Sequence, residues 1–568
     1  MRRSHRGSTW QVVPAGGLLV LALAAPVLAG APALVAGGAQ PTPTSDASSG
    51  LSRAVFGGSG FAEAGWGDDT TKEAQKAAAL TGDWQAEKDL GSLYSLERRT
   101  GAQQAWKTDD KKVRDGKVTG AGIGIALLDT GISPVLGLNA PGKVVRGPDL
   151  SLDSQIPGTR TIDGFGHGTH MAGIIAGRDP VKNGDEDKRE HLAGVAPGAT
   201  LIDVKIGAAD GAADVSQVIA GIDWVVANKD THGIRVLNLS YGTHSTQPYV
   251  LDPLAHAVEN AWRAGIVVVV SAGTDGEDAS STTPVPLTMP AADPLVLAVG
   301  AVDHRGTSNA DDDTVAAFTN PGTTRRPDLL APGKSVVSLR APGSNADTQH
   351  PEGLVTGDDS ARLFRGSGTS QAAAVVSGAA SLLLQADPTL TPDQVKGLLV
   401  AGADRLKRDD DPAQGAGTLN IQDSLDLTIK AGKQGRLADY APTTSYPPST
   451  GLGSLDAARG GSHLIDPQTG MPLTGEIDIF GAPWDRRTWS QASAARRTWS
   501  GEEWNGSSWN TGEWTRRTWS GSDWTRRTWS GDDFQRRTWS AADFQRRTWS
   551  GTDFQRRTWS ASGWTGTD

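Results

Sequence analysis

Three side chains in this sequence have the types that nucleophilic catalysis requires, and each lies beside glycine-rich or turn-forming sequence. They are Asp129, His167 and Ser370. A serine can attack a carbonyl carbon when a histidine takes its proton and a carboxylate orients that histidine. Each residue alone also has an ordinary explanation, because Asp is common in turns and Ser370, or Thr369 before it, can simply cap a helix.

The local sequence predicts that each of these residues stands at the end of a regular element. Gly122–Leu128 is a short apolar run that predicts a buried strand, which places Asp129 at its carboxyl end, where the sites of open α/β sheets collect. His167 opens an apolar helix of small residues. Ser370 precedes the apolar run Ala372–Leu384, which predicts a helix whose first N–H groups are unpaired.

Strands and helices alternate through the middle of the chain. The predicted strands are Leu201–Lys205, Ile234–Ser240, Ile266–Ser271 and Leu295–Val302. The predicted helices are Asp214–Lys229, Asp252 to about Ala264, and one that begins at Thr391. This alternation predicts an α/β fold with a mostly parallel sheet that is covered by helices on both faces.

Three segments together make the chain resemble the subtilisin-like serine proteases, the subtilases or peptidase family S8. DTGISP (129–134), GHGTHMAG (166–173) and GTSQAAAVVSG (368–378) are similar to the signature segments of that family. The order Asp, His, Ser is the one that subtilisin has. Linking segments are also similar: LAGVAPGA (192–199), VLNLSYG (236–242), VVVVSAG (267–273) and RPDLLAPG (326–333). The resemblance covers roughly residues 95–430.

The resemblance implies a three-layer subtilisin-like fold and a role for each site residue. Asp129 would orient His167, His167 would act as general base and then acid, and Ser370 would attack the carbonyl carbon. The backbone N–H of Ser370 would donate to the oxyanion. Two short segments would form the walls of the substrate cleft, and their residues are Ser240, Tyr241, Gly242, Ser271, Ala272 and Gly273. An extended peptide would pair with these edges.

The sequence departs from the family pattern in three places. Thr274 stands where the family usually has an Asn whose amide donates to the oxyanion. Loss of that donor is worth about 3 kcal/mol, a figure measured on a subtilisin, so we expect lower activity and partial recovery through the Thr274 hydroxyl. Gln371 replaces the usual Met, and Ala374-Val375 replaces the usual Pro-His pair.

The composition excludes some cofactors and partners. The chain has 568 residues, no Cys and a formal charge of −10, so thiolate chemistry is excluded and nucleic acid is not an expected partner.

His167 and His170 lie three residues apart, but no third metal ligand stands nearby, and we predict a structural role for His170. The acidic loop Asp179–Glu190 is a candidate calcium site, although a solvated charged loop explains it better. We expect no cofactor and no metal.

The N-terminus indicates export. Arg2, Arg3 and Arg6 precede an apolar stretch that begins at Gly17, and small residues close it, as in a secretory signal peptide over residues 1–39. An uncleaved anchor is the alternative, but its Pro, Gly and Ala residues make a poor membrane span. Residues 40–94 would be a linker or a short pro-segment. The protein is therefore expected to be secreted or attached to the cell surface.

A repeat follows the expected peptidase domain (95–430) and a linker rich in Pro, Gly and Ser (431–480). In residues 481–568 the sequence RRTWS recurs with a period of ten, and 13 of the 19 Trp residues of the chain lie from Trp484 onward. The structure of this tail is not fixed by its period of five between aromatics. A solenoid-like coil, disorder and packing on the acidic catalytic domain are the alternatives. Regular Trp with Arg also predicts binding to cell-envelope glycans or another surface.

These features predict a secreted serine endopeptidase that hydrolyses peptide bonds of protein or peptide substrates through an acyl-enzyme. The alternative is a weakly active or inactive subtilase that binds a cell surface or polymer through its Trp-rich repeats. Thr274 favours the alternative, and the complete set of Asp129, His167 and Ser370 argues against it. An acyl transferase with the same three residues has no support in the sequence.

Overall fold

A twisted sheet forms the centre of the molecule. The computed structural model describes residues 79–108, 117–156 (of Gln155 the backbone only), 158–181, 185–276, 284–408, 410–441, 445–465 and 471–509. All of these residues belong to one compact unit, 65–568. The strands of the main sheet are β1 Gly124–Asp129, β2 Val144–Asp149, β3 Thr200–Lys205, β4 Ile234–Leu239, β5 Val267–Ser271, β6 Leu297–Asp303, β7 Thr314–Val315 and β8 Leu329–Pro332.

The order of the strands is β2-β3-β1-β4-β5-β6-β7, and β8 also pairs with β6. Every pair is parallel except β6 with β7. All residues of β1 and β5 are buried, which requires cover on both faces of the sheet. Two small antiparallel sheets accompany it, β9 Val336–Leu339 with β10 Leu363–Gly366, and β11 Trp499–Ser500 with β12 Glu503–Trp504 and β13 Ser507–Ser508.

Helices supply that cover. The α-helices are α1 Leu93–Thr100, α2 Ala102–Trp106, α3 His167–Ala176, α4 Val215–Asn228, α5 Pro253–Arg263, α6 Asn345–Gln349, α7 Thr369–Ala386, α8 Pro392–Ala401, α9 Ile421–Gln434, α10 Leu455–Arg459 and α11 Arg486–Ala494. Short 3₁₀ turns are Leu152–Gln155, Ala310–Asp312, Pro351–Gly353, Pro412–Gln414 and Leu437–Tyr440. Helix α3 packs against α7, and α4 packs against α5. The predicted α/β fold with a mostly parallel sheet between helices is confirmed.

The helix starts follow from local sequence. Asp214 caps α4 and forms a reciprocal capping box with Gln217, as their spacing predicts. Asp252 caps α5 ahead of a first-turn proline, and Thr391 forms a second capping box at α8. These interactions depend on residues within four positions of each other, which explains why the sequence alone reveals them.

Part of the expected N-terminal linker or pro-segment packs on the α/β unit. The Trp84 indole N–H donates to Asp89 Oδ2 at 2.9 Å, and Arg365 on β10 forms a buried ion pair with the same carboxylate. Burial raises and Arg365 lowers the pKa of Asp89, and the net result lies below its ordinary value. The predicted signal peptide and residues 40–78 lie outside the described residues.

Residues after 445, for which the sequence predicts a linker and then the repeat tail, cover α4 and α5. Helix α10 contacts both helices, and α11 contacts α5. Arg459 at the end of α10 forms an ion pair with Asp214, 2.7 Å between Nε and Oδ1, and both side chains are fully buried. Arg459 also donates to the carbonyls of Gly475 and Ile477. This arginine therefore ties the segment to the cap of α4.

The first repeats form an aromatic cluster on α4. The tryptophan cluster consists of Trp484, Trp489, Trp499, Trp504 and Trp509, whose rings contact one another. Up to residue 509, the repeat thus packs on the α/β unit. Residues 510–568, which hold most of the repeats, lie outside the described residues.

The buried Asp223 of α4 anchors this cluster. It accepts the indole N–H groups of Trp489 and Trp504 at 3.2 and 3.1 Å, and the Ser493 hydroxyl at 2.7 Å. Burial raises the pKa of Asp223, while these hydrogen bonds lower it, and burial prevails. Trp499 donates instead to a neutral acceptor, the Ala220 carbonyl, at 2.9 Å.

Candidate active site

Asp129 and His167 meet at the carboxyl end of β1. His167 Nδ1 lies 2.7 and 2.9 Å from the two carboxylate oxygens of Asp129, and both side chains are buried. The backbone of α3 reaches this position because Gly168 lies directly on Gly131, where a Cβ would come within 2.1 Å of the Gly131 carbonyl oxygen. The structure therefore places the Asp129 carboxylate within hydrogen-bond distance of the His167 imidazole.

A second carboxylate holds the start of α3. Asp163 accepts the backbone N–H groups of Gly166 and Thr169 at 2.6 and 2.7 Å, and the Thr130 hydroxyl at 2.8 Å. Burial raises its pKa above the ordinary value, against the opposing effect of these hydrogen bonds. Since Thr130 follows Asp129, this carboxylate ties β1 to the helix that carries His167. The sequence analysis missed this role, although an Asp just before a helix start is a recognisable cap.

His170 lies one turn along α3 and contacts β9 and β10. Its Nε2 lies 3.1 Å from the carbonyl of Phe364 on β10, and its own carbonyl accepts the Ser338 hydroxyl. Burial lowers the pKa of His170 to about 3, so the ring is neutral and Nε2 donates. This is the structural hydrogen bond that the sequence predicts for His170.

Ser370 is the second residue of α7 and is fully buried. Among the residues that the structure describes, none forms a hydrogen bond with the Ser370 hydroxyl. Further along α7, the Ser377 hydroxyl donates to Asn238 Oδ1 at 2.8 Å, and Asn238 Nδ2 donates to the hydroxyl of Ser240 at 3.3 Å. This chain of hydrogen bonds fixes α7 relative to the strand that carries the first predicted wall of the cleft.

The two predicted walls lie on neighbouring strands. Ser240, Tyr241 and Gly242 follow β4, and Ser271, Ala272 and Gly273 end β5 or follow it. Leu239 pairs with Val270 in the parallel register of β4 and β5, so the two segments leave the sheet side by side. The structure therefore brings the six predicted substrate-binding residues to one edge, beside the end of β1.

Thr288 closes the space between these walls. A Cβ on Gly242 would come within 2.3 Å of Thr288 Oγ1, and one on Gly273 would lie 3.1 Å from Thr288 Cγ2. The Thr288 hydroxyl is buried and, within the described part of the chain, has no hydrogen-bond partner. The sequence analysis missed this residue, because nothing in the local sequence shows that it returns to the sheet edge.

Thr274 is buried directly after the second wall. The nearby amide of Asn320 is fully engaged: its Nδ2 donates to Asp275 Oδ2 and to the Pro286 carbonyl at 3.1 and 2.9 Å, and its Oδ1 accepts the Asp275 N–H at 2.5 Å. Asn320 therefore shapes the turn after Gly273 and has no N–H left for a ligand. Sequence reasoning missed this residue as well.

Arg325 holds the segment that follows Thr288. Its guanidinium donates to the carbonyls of Ala291, Asp293 and Val296, the last at 2.8 Å, and to Asp328 Oδ2 at 2.5 Å. The side chain is 14% exposed and lines a surface cavity of about 950 Å³. The Arg325 guanidinium therefore holds three carbonyls of the segment that follows Thr288, and Lys396 Nζ also donates to one of them, that of Val296, at 2.8 Å.

The acidic loop Asp179–Glu190 uses its carboxylates within the protein. Asp179 accepts the Leu192 N–H at 2.7 Å and pairs with Arg362, and Glu186 pairs with Arg178 at 3.0 Å. In the described ranges, no group of three His, Asp or Glu residues is arranged to hold a metal ion. The expectation that this loop binds no calcium stays untested.

Comparison with known proteins identifies relatives of the central part of the chain. The model of the Subtilase family (peptidase S8) matches residues 120–420. Serine protease AprX of Bacillus subtilis (strain 168) is 37% identical over 327 residues, which are 55% of this chain and 68% of that protein. Subtilisin DY of Bacillus licheniformis is 32% identical over 311 residues, 55% of this chain and 93% of that protein.

The name of a third relative describes it as extracellular. The extracellular serine proteinase of Thermus sp. (strain Rt41A) is 35% identical over 282 residues, which are 50% of this chain and 55% of that protein. Residues 120–420, which the family model matches, contain the main sheet, α3 and α7, and they end before the tryptophan cluster.

Proposed function

The chain belongs to the subtilase family and is a subtilisin-like serine endopeptidase, and we propose that Asp129, His167 and Ser370 are its catalytic residues. The observation that carries this proposal is the pair of short contacts between His167 Nδ1 and the Asp129 carboxylate. A buried carboxylate at Nδ1 fixes the tautomer in which Nε2 can accept a proton. It also stabilises the imidazolium that then forms.

The reaction follows the acyl-enzyme route. Ser370 Oγ forms a bond to the acyl carbon, its proton passes to His167 Nε2, and the π electron pair of the carbonyl moves to oxygen. When the intermediate collapses, the C–N bond breaks and His167 returns the proton to the leaving amine. A water molecule, deprotonated by His167, then releases the acyl group. The substrates are peptides that extend along Ser240–Gly242 and Ser271–Gly273.

Thr288 limits the depth of the proposed cleft. Because this side chain fills the space between Gly242 and Gly273, we expect a preference for small residues on the acyl side of the scissile bond. The position of Thr288 against Gly242 and Gly273 supports this expectation.

Secretion is part of the proposal. The basic residues, apolar stretch and small residues at the N-terminus support it, and one relative is described as extracellular. Within the described residues, no helix is long and apolar enough to cross a membrane.

Surface binding through the tail is a separate proposal that now concerns residues 510–568. The tryptophans of the first repeats are used internally, since Trp489 and Trp504 are fully buried. Binding to cell-wall glycans therefore needs the later repeats. A chain that ends at Trp509 should lose binding to insoluble cell-wall material that the full chain retains. Equal binding of the two chains would refute this role.

Peptide hydrolysis by matched variants tests the catalytic proposal. In a subtilisin, loss of the Ser or His lowers kcat about 2 × 10⁶-fold and loss of the Asp about 3 × 10⁴-fold. We expect the same ranking for Ser370→Ala, His167→Ala and Asp129→Ala, with His170→Ala as a control for a buried histidine on the same helix. A folded Ser370→Ala variant with wild-type activity would refute the proposal.

A further inference from the structure

Gln371 follows the proposed nucleophile and is fully buried. Among the described residues, neither its amide nitrogen nor its amide oxygen has a hydrogen-bond partner. A primary amide offers two donors and two acceptor positions, and leaving all of them buried without partners costs stability. When such a buried, unpaired amide lies at an active site, we expect its hydrogen-bond partner to be an atom of the bound substrate.

The Gln371 amide lies against Gly368, the capping residue of α7. Gln371 is the third residue of α7, and its Oε1 lies 2.7 Å from the position that a Cβ on Gly368 would take. The Ser370 nitrogen lies 3.8 Å from that same position. A Gln at this helix position often accepts the N–H of the capping residue, but here the Gly368 N–H donates to the Gly333 carbonyl at 2.8 Å. The Gln371 amide is therefore next to a helix N-terminus without being used as its cap.

The usual side-chain donor to the oxyanion is missing nearby. Thr274 occupies its place, and the buried amide of Asn320 is committed to Asp275 and Pro286. Between the buried amides of Asn320 and Gln371, that of Gln371 is the one whose N–H groups have no partner among the described residues. Position 274 thus lacks the amide donor that the family usually has there. Gln371, next to the proposed nucleophile, has an amide without a partner among the described residues.

We propose that Gln371 is a further catalytic residue, whose Nε2 donates a hydrogen bond to the oxyanion together with the Ser370 backbone N–H. This inference rests on the proposed function. Ser370 Oγ bonds to the acyl carbon while its proton moves to His167, and negative charge develops on the carbonyl oxygen. This oxygen then accepts hydrogen bonds from both N–H groups. On collapse the electron pair returns to the carbon–oxygen bond and the amine leaves. Gln371 stays neutral throughout.

The test compares Gln371→Met, which keeps length and removes the N–H groups, with the full-length wild type. We expect kcat to fall about 10²-fold or more with a nearly unchanged KM, as when a subtilisin loses its oxyanion donor. Thr274→Asn should restore most of that activity in the Gln371→Met background and add little to the wild type. Such non-additivity is the signature of two groups that serve one function.

Inhibitor affinity separates this role from a structural one. A peptide aldehyde forms a tetrahedral adduct with the serine, so its inhibition constant should rise in Gln371→Met by about the factor that kcat/KM falls. The affinity of the matching peptide amide should stay unchanged. Urea unfolding of both chains in a Ser370→Ala background verifies that the substitution leaves the fold intact.

The outcomes distinguish the two proposals. If the wild type reacts with a fluorophosphonate and Gln371→Met keeps kcat within twofold, Gln371 has no catalytic role. The same conclusion holds if kcat falls but Thr274→Asn does not restore it and the aldehyde binds as before. If the folded wild type does not react with the fluorophosphonate at all, the proposed function itself fails, and this inference fails with it.

Discussion

The hydrogen bond between Trp504 and Asp223 should stabilise the protein more than a similar bond from Trp499. Trp504 Nε1 lies 3.1 Å from Asp223 Oδ2, whereas Trp499 Nε1 donates to the Ala220 carbonyl at 2.9 Å. Hydrogen bonds to charged groups contribute about 1.5–3 kcal/mol, and those between neutral groups about 0.5–1.5 kcal/mol. Trp→Phe removes the N–H at either position and keeps an aromatic ring. We therefore expect Trp504→Phe to lower the free energy of unfolding by about 1 kcal/mol more than Trp499→Phe.

Urea unfolding should be measured in a Ser370→Ala background, which removes self-digestion as a source of error. Trp504 is fully buried and Trp499 is not, so a larger cavity also contributes to the difference. A double-mutant cycle with Asp223→Asn removes that contribution, and we expect a coupling energy of about 1–2 kcal/mol between Trp504 and Asp223. A coupling energy near zero would refute the view that Asp223 anchors the tryptophan cluster.

Three further predictions follow from the site and the sheet. Thr288→Gly should deepen the cleft. For peptides that differ only in the residue on the acyl side of the scissile bond, the ratio of kcat/KM for phenylalanine to that for alanine should rise about tenfold or more. An unchanged ratio would contradict this. Arg325→Ala should lower kcat/KM about tenfold, because the carbonyls of Ala291 and Asp293 lose the guanidinium that donates to them. Millimolar guanidinium, but not the same concentration of sodium, should restore kcat/KM, and no rescue would contradict a positioning role. Burial raises the pKa of Asp203 to about 6, against the lowering effect of Arg146, so the folded state binds this proton more tightly than the unfolded chain. The stability of the wild type relative to Asp203→Asn should therefore fall between about pH 4 and pH 6, by at most about 1.4 kcal/mol per pH unit; parallel pH profiles from urea unfolding would contradict this.

The sequence predicts those features of the fold that depend on near neighbours in the chain. The caps at Asp214, Asp252 and Thr391 are examples, because each involves residues within four positions of one another. The apolar run before Asp129 likewise predicts its strand, because a strand that is buried on both faces needs no polar alternation.

The packing of the first repeats could not be predicted in the same way. A period of five between aromatics matches neither a helix nor a strand, so it does not define which face the tryptophans present or what they contact. Their anchor, Asp223, lies in a helix more than 260 positions earlier in the chain than Trp489. In the sequence, that residue is one acid among many in an amphipathic helix, and only the fold reveals that it faces the later segment.

The same limit applies within the site. Asp129 and His167 could be proposed from their motifs, and the structure brings them into contact. Thr288 and Arg325 make contacts with residues distant in the chain, and no local sequence pattern predicts these contacts. Gln371 was visible in the sequence as a departure from the family pattern, but its significance required knowing that its buried amide has no partner among the described residues.

The most direct test of the catalytic assignment is reaction of the folded protein with a fluorophosphonate, followed by mass-spectrometric mapping of the adduct. The account predicts one adduct per molecule on Ser370, none on Ser370→Ala, and strongly slowed reaction of His167→Ala. Absence of an adduct on the folded wild type, or an adduct on another serine, would contradict it.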